Sequence, residues 1–186
     1  MRKYKVAVTG CGRAGVNLHI KTYIDMEEIE VIAVCDNNQK RVNQVGKKFG
    51  IGKKYTDFNL MLSEEKPDIS VICTPPSLHK AVFDASIQAG CHILLEKPSA
   101  SSLEELEEMI DLSKEYNKKI MVNQNYRWTQ DTVCAKKIVE KGLIGEVYRV
   151  EIIDYTWEEK DPTNSQWLSG LHQRWLFEQG VHWFDY

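Results

Sequence analysis

The sequence predicts an α/β protein built on a doubly wound parallel sheet, followed by the start of a second, α+β domain. Three observations predict it. Short apolar runs alternate with helical patterns about ten to sixteen residues long, a glycine-rich turn follows the first run, and the periodicity changes near residue 145. Buried parallel strands read as continuous apolar runs, and helical crossovers join them on both faces of the sheet.

In chain order, "YKVAVT" (4–9) predicts the first strand and "AGVNLHIKTYIDM" (14–26) the first helix. "EVIAVC" (30–35) is the second strand and "NQKRVNQVGKKF" (38–49) the helix after it. "ISVIC" (69–73), "SLHKAVFDASIQA" (77–89) and "HILL" (92–95) continue the alternation. "SLEELEEMIDLSKEY" (102–116) carries Leu103, Leu106, Met109 and Ile110 on one face and glutamates on the other, a 3.6-residue period. Ser101 or Ser102 caps it, and Glu104 and Glu105 suit the positive helix end. "KIMVN" (119–123) closes the sheet. After a helical stretch, "TVCAKKIVEKG", the run "GEVYRVEIIDYTWEE" (145–159) alternates as a half-exposed strand does. The boundary falls near residues 123–128, with 1–125 as the first domain and 126–186 as the second. "KDPTNSQWLSG" (160–170) reads as a loop. One long strand does not stand alone, so the second domain is expected to be truncated or completed by another chain.

Composition sets limits. The chain has 186 residues, 42% apolar and 27% charged, with a net charge of −3 and no basic block. That disfavours nucleic acid or an anionic membrane as partner. No apolar run is long enough to span a bilayer, and "MRKYKVAV" does not read as a signal peptide. Five cysteines without Cys-x-x-Cys spacing predict free thiols in a cytoplasmic protein, with neither a disulfide framework nor a metal site.

"VTGCGRAG" places Gly10, Gly12 and Gly15 in a Gly-x-Gly-x-x-Gly turn between the first strand and helix. The first glycine permits the tight turn, the second admits a pyrophosphate, and the third lets helix and strand pack closely; Arg13 and Ala14 complete the loop. Asp36 follows the second strand, 21 residues beyond Gly15, where a carboxylate accepts the adenosine ribose hydroxyls and repels a 2′-phosphate. This is the dinucleotide fingerprint of a Rossmann-type sheet. It favours NAD, while Lys40 and Arg41 keep NADP possible. The alternative is a turn used only for packing, with Asp36 as a helix cap. "ILLEKPSA" (93–100) ends the fifth run with Glu96, Lys97 and Pro98. Ligands of doubly wound sheets bind outside the carboxyl ends of the strands. A lysine held there polarises an oxygen and shares its proton; the alternative is a solvated turn.

With that fingerprint, "CTPPSLHKAVFDASIQAGCHILLEKP" (73–98), "NQNYRW" (123–128) and "EQGVHWFDY" (178–186) resemble the Gfo/Idh/MocA family of nicotinamide-dependent oxidoreductases. The resemblance implies that Thr74, Pro75 and Pro76 pass the cofactor, that Glu96 and Lys97 lie by the nicotinamide, and that Asn125 serves the cofactor and Arg127 the substrate. His79 has either a cofactor-loop or a structural role. His182 is the expected proton acceptor beside Lys97, with Glu178 four residues before it where the family often has aspartate, and Asp185 orienting substrate. The alternative for His182 is a packed interface histidine. Trp157, Trp167, Trp175 and Trp183 lend mild support to a sugar-like substrate, with Trp157 the candidate contact. The expected activity is hydride transfer between nicotinamide and a secondary alcohol of a sugar, cyclitol or similar polyol. Two rivals stand beside it: an NAD-dependent redox-elimination glycosidase, and a non-catalytic NAD(H)-binding fragment or sensor. A homo-oligomer is possible for a complete chain.

Overall fold

The computed structural model describes residues 2–153 and 176–185. The chain divides into two compact units, Met1–Asn123 and Gln124–Tyr186.

The first unit is a six-stranded, wholly parallel sheet of order β3-β2-β1-β4-β5-β6. Its strands are β1 (Tyr4–Thr9), β2 (Ile29–Cys35), β3 (Lys53–Tyr55), β4 (Ile69–Ile72), β5 (His92–Leu95) and β6 (Ile120–Val122). The helices are α1 (a π-helical segment Gly15–Ile20 continued by Lys21–Tyr23), α2 (Gln39–Phe49), α3 (Phe58–Glu65), α4 (His79–Gln88) and α5 (Leu103–Glu115). Side-chain alternation divides the core between the two faces of the sheet. Val6, Val8, Val34 and Val71 pack with Ile20 of α1 and with Val42 and Val45 of α2. Ile72, Ile93 and Leu95 pack with Val82, Phe83 and Ile87 of α4 and Met109 of α5. Ala7, Ala33 and Cys35 meet Met61 of α3. Each Val, Ile, Leu, Phe or Met side chain among them, shut from water, contributes about 1.5–3 kcal/mol of apolar transfer.

Helix ends follow their local chemistry. Asn38 accepts the Arg41 N–H to cap α2, Asp57 accepts the N–H groups of Asn59 and Leu60 to cap α3, and Ser102 accepts that of Glu105 to cap α5. Gly50, at φ +70°, closes α2 in the left-handed conformation that glycine tolerates.

Two elements depart from expectation by being present. β3 is only "KKY", too short and too charged to read as an apolar run, and is paired by its backbone to Ala33–Cys35. α3, "FNLMLSEE", follows the Asp57 cap. One element departs by being absent. Residues 147–153 of the expected strand 145–159 hold no strand, and Tyr148, Val150 and Ile153 are exposed. A strand needs a neighbour for its backbone hydrogen bonds, and among the described residues β6 is the last strand. The rest of that stretch, the loop 160–170, and Trp157, Trp167 and Trp175 lie outside the described residues.

In the second unit, a 3₁₀ turn Asn125–Trp128 leads into α6 (Gln130–Glu140), and near the end a π-helical turn Leu176–Gly180 runs into Val181–Trp183. Among the described residues, no helix is long and apolar enough to cross a membrane.

Candidate functional site

The strands all run parallel, but their sequence order runs outward in opposite senses from β1 and from β4, and the crevice of a doubly wound fold opens at the carboxyl ends of those two strands. Gly10 leaves β1 at φ +100°, with its N–H donating to the Cys35 carbonyl at 2.8 Å. A Cβ at Gly10 would run into the Cys73 carbonyl, and one at Gly15 into the Gly10 carbonyl, both inside 3.0 Å. These two glycines are required by close backbone approach. Gly12 is different. A Cβ there would meet nothing within 4 Å, so protein packing does not account for it. The open space above it is the cradle a side chain would fill and a pyrophosphate requires, so the loop fits a dinucleotide.

Asp36 sits at the end of β2 with its side chain 5% exposed. Its Oδ2 accepts the Cys11 N–H and its Oδ1 the Asn38 N–H, each at 2.9 Å. The carboxylate therefore fixes the glycine loop. Arg41 Nη1 lies 3.2 Å from Oδ1 and 3.1 Å from Oδ2. Burial, then the charges of Asp36 and Cys35, push the Cys11 thiol up to about 12.

After β4, Thr74 and Pro75 lead into the turn Pro76–Leu78, where Leu78 N–H donates to the Pro75 carbonyl at 2.9 Å. Thr9 Oγ1 and Thr74 Oγ1, at the ends of β1 and β4, are buried without a hydrogen-bond partner among the described residues. His79 opens α4 fully buried, its Nε2 2.8 Å from the Thr74 carbonyl and its Nδ1 2.9 Å from the Pro98 carbonyl. It staples the loop after β4 to the loop after β5. Burial lowers its pKa against the opposing pull of the Thr74, Pro98 and Ser99 backbone.

At the end of β5, Glu96 is 7% exposed. Its Oε1 accepts from His19 Nε2 at 2.6 Å and Asn123 Nδ2 at 2.7 Å, and His19 Nδ1 lies 2.9 Å from the Tyr23 hydroxyl. Burial drives the Glu96 pKa up. The His19 and Asn123 hydrogen bonds, the His19 charge and the Lys97 N–H outweigh it and hold the carboxyl below its ordinary range. Glu96 is thus an anchor within the crevice wall. Lys97, the next residue, is half-buried and joined to Pro98 by a cis peptide. His19, Tyr23 and Asn123 carry no local sequence signal for this network, because His19 and Glu96 stand 77 residues apart.

In the second unit His182 is buried and stacks on Tyr126, with ring centroids 4.1 Å apart and planes 12° apart. Trp183 meets Tyr126 edge-on. Arg127 and Asp185, both expected to hold substrate, grip each other: Arg127 Nε donates to Oδ2 at 3.0 Å and Nη2 to Oδ1 at 2.5 Å. Asn125 is exposed at the start of its turn, as is Arg13 in the glycine loop; Ala14 is half-buried there. Glu178 lies in the Leu176–Gly180 turn, and of its side chain nothing is described. Among the described residues no group of three or more histidines, cysteines or carboxylates is placed to hold a metal.

The family described as an oxidoreductase family with an NAD-binding Rossmann fold matches residues 4–124. The D-glucoside 3-dehydrogenase of Escherichia coli is 30% identical over 144 residues, covering 77% of this chain and 41% of that protein. The D-apiose dehydrogenase of Paraburkholderia graminis is 30% identical over 145 residues, covering 78% and 38%. A solved oxidoreductase from Agrobacterium radiobacter, in complex with NAD+, L-tartaric acid and magnesium, superposes with a TM-score of 0.74 at 29% identity, covering 77% of this chain and 42% of its own. The chain thus spans about two fifths of the length of the relatives it matches.

Proposed function

The chain belongs to the Gfo/Idh/MocA family of NAD-binding oxidoreductases, and from that premise we propose that it serves hydride transfer between a nicotinamide dinucleotide and a secondary alcohol of a sugar, cyclitol or similar polyol. The observation that carries the reading is the glycine loop: Gly12 faces open space while Gly10 and Gly15 are forced by packing, and Asp36 is bonded to the loop's own backbone. Relatives named as dehydrogenases of a glucoside and of apiose support the substrate class.

The cofactor, when bound, supplies the hydride chemistry. The chain's residues supply position and proton handling. Gly10, Gly12 and Gly15 bring backbone N–H groups to the phosphates, and Asp36 takes the ribose. Lys97 donates a hydrogen bond to the substrate oxygen and shares its proton, while Glu96, pinned by His19 and Asn123, holds the backbone before it. His182 is the proposed second proton group, held flat by Tyr126. Arg127 and Asp185 act as a pair, either holding the last turn or opening to substrate.

Fluorescence titration with NADH tests the reading. Saturable binding that weakens by about tenfold or more in Asp36→Ala is expected. Lys97→Ala is expected to keep NADH binding and abolish turnover of any polyol the wild type oxidises. A folded chain that binds neither NADH nor NADPH overturns the proposal.

A further inference from the structure

Asp36 does not face the crevice as a bare carboxylate. Each of its oxygens already accepts a backbone N–H, from Cys11 or Asn38, and each also meets Arg41 Nη1. Arg41 is fixed at its root, its own N–H donated to the Asn38 side chain at 3.0 Å. Its side chain is 49% exposed, against 5% for Asp36. The outermost charge at this end of the crevice is therefore positive. Lys40, beside it on α2, is exposed.

A carboxylate after the second strand discriminates against a 2′-phosphate by repulsion. That repulsion needs an uncompensated charge. Here the guanidinium lies against both oxygens and cancels it. A guanidinium is also a forked donor matched to phosphate oxygens, and a half-exposed one turns from carboxylate to phosphate at little desolvation cost.

We propose that Arg41 determines coenzyme specificity, and that with Asp36 it forms an adaptable site accepting both NAD(H) and NADP(H). With the unphosphorylated coenzyme the guanidinium swings aside and Asp36 accepts the ribose diol. With the phosphorylated one it stays over the site and takes the 2′-phosphate. The inference rests on the reading that this crevice holds a nicotinamide dinucleotide.

The test is a fluorescence titration of the full chain with NADH and NADPH separately, on wild type, Arg41→Ala and Asp36→Asn, with circular dichroism confirming each fold. Wild type is expected to bind the two within about tenfold of each other. Arg41→Ala is expected to weaken NADPH by about tenfold or more and leave NADH within about threefold, because one charged contact is lost to one ligand only. Asp36→Asn shifts the preference the other way, toward NADPH. Normal NADH binding with NADPH more than about a hundredfold weaker overturns this inference and leaves the proposed function standing. So does an Arg41→Ala effect equal for both ligands. A folded wild type that binds neither overturns both.

Discussion

Two glycines of the loop, Gly15 and Gly12, make a quantitative pair of substitutions. At Gly15 an added Cβ comes inside 3.0 Å of the Gly10 carbonyl oxygen and 3.2 Å from its carbon, with the Cys73 Cβ at 3.4 Å on another side. Backbone atoms cannot rotate away, so the α1–β1 packing must spread. Overpacking of this kind costs about 3 kcal/mol. For a chain of this size that lowers Tm by roughly 10 °C. At Gly12 the same methyl meets nothing within 4 Å, and the backbone is outside the left-handed region. Gly12→Ala should hold or gain stability, by about 0.4–1 kcal/mol, through the smaller entropy of its unfolded chain. It should still lose affinity, because the methyl fills the space a phosphate needs. Losing one charge-assisted hydrogen bond, about 1.5–3 kcal/mol, weakens NADH roughly 10- to 150-fold. Thermal unfolding by circular dichroism and NADH titration measure the two quantities on the same samples. A Gly12→Ala protein that unfolds as early as Gly15→Ala, or that binds NADH like wild type, refutes the reasoning.

Four further outcomes are expected. Removing His19, as His19→Ala, leaves the Glu96 carboxylate buried with a lost partner and should cost about 3–5 kcal/mol by urea unfolding at pH 7. Because the folded pKa of Glu96 lies below its unfolded value near 4.5, the stability it adds is present above pH 4.5 and disappears as pH falls through the folded value. Wild type and Glu96→Gln should therefore converge on acidification, and a gap that stays constant with pH contradicts a stabilised carboxylate at Glu96. His79→Ala opens a cavity between the loops and removes the imidazole N–H donated to one of the Thr74 and Pro98 carbonyls, at a cost of about 2–4 kcal/mol; stability unchanged within about 0.5 kcal/mol would show that the staple adds nothing to the fold. Finally, Cys134 is the exposed thiol, while Cys11, Cys35 and Cys91 are buried with raised pKa values and Cys73 is raised well above its ordinary value. One fast-reacting thiol per folded chain is expected with a disulfide reagent at neutral pH, and two or more would contradict this burial.

The elements legible in sequence are those whose burial is written locally. β1, β2, β4 and β5 are apolar runs because both faces are covered, and α5 shows its period because only one face is. β3 was hidden by its lysines, since a three-residue edge strand is held by backbone pairing that leaves side chains unconstrained. α3 was missed although "TDFN" offered its Asp57 cap. In the site, the glycines and Asp36 could be read from spacing, because the backbone geometry they serve is local. The clamp of His19, Glu96 and Asn123 could not, because its partners meet only once α1, β5 and β6 are assembled. Arg41 was visible as a nearby charge, but its hold on Asp36 depends on a side-chain path no periodicity encodes. The alternation at 145–153 read as a strand, yet a strand's pattern does not supply its partner.

The seat of Gly10 against the Cys73 carbonyl joins chain segments about sixty residues apart. A nascent chain that has reached only β3 owns β1, β2 and β3 but lacks the strand against which its glycine turn is moulded. The pairing of β1 with β2 closes a shorter loop than its pairing with β4. The crevice therefore depends on the longer of the two closures. A ligand that needs both edges of the crevice binds only where β4 has docked, and by mass action it stabilises that docked state.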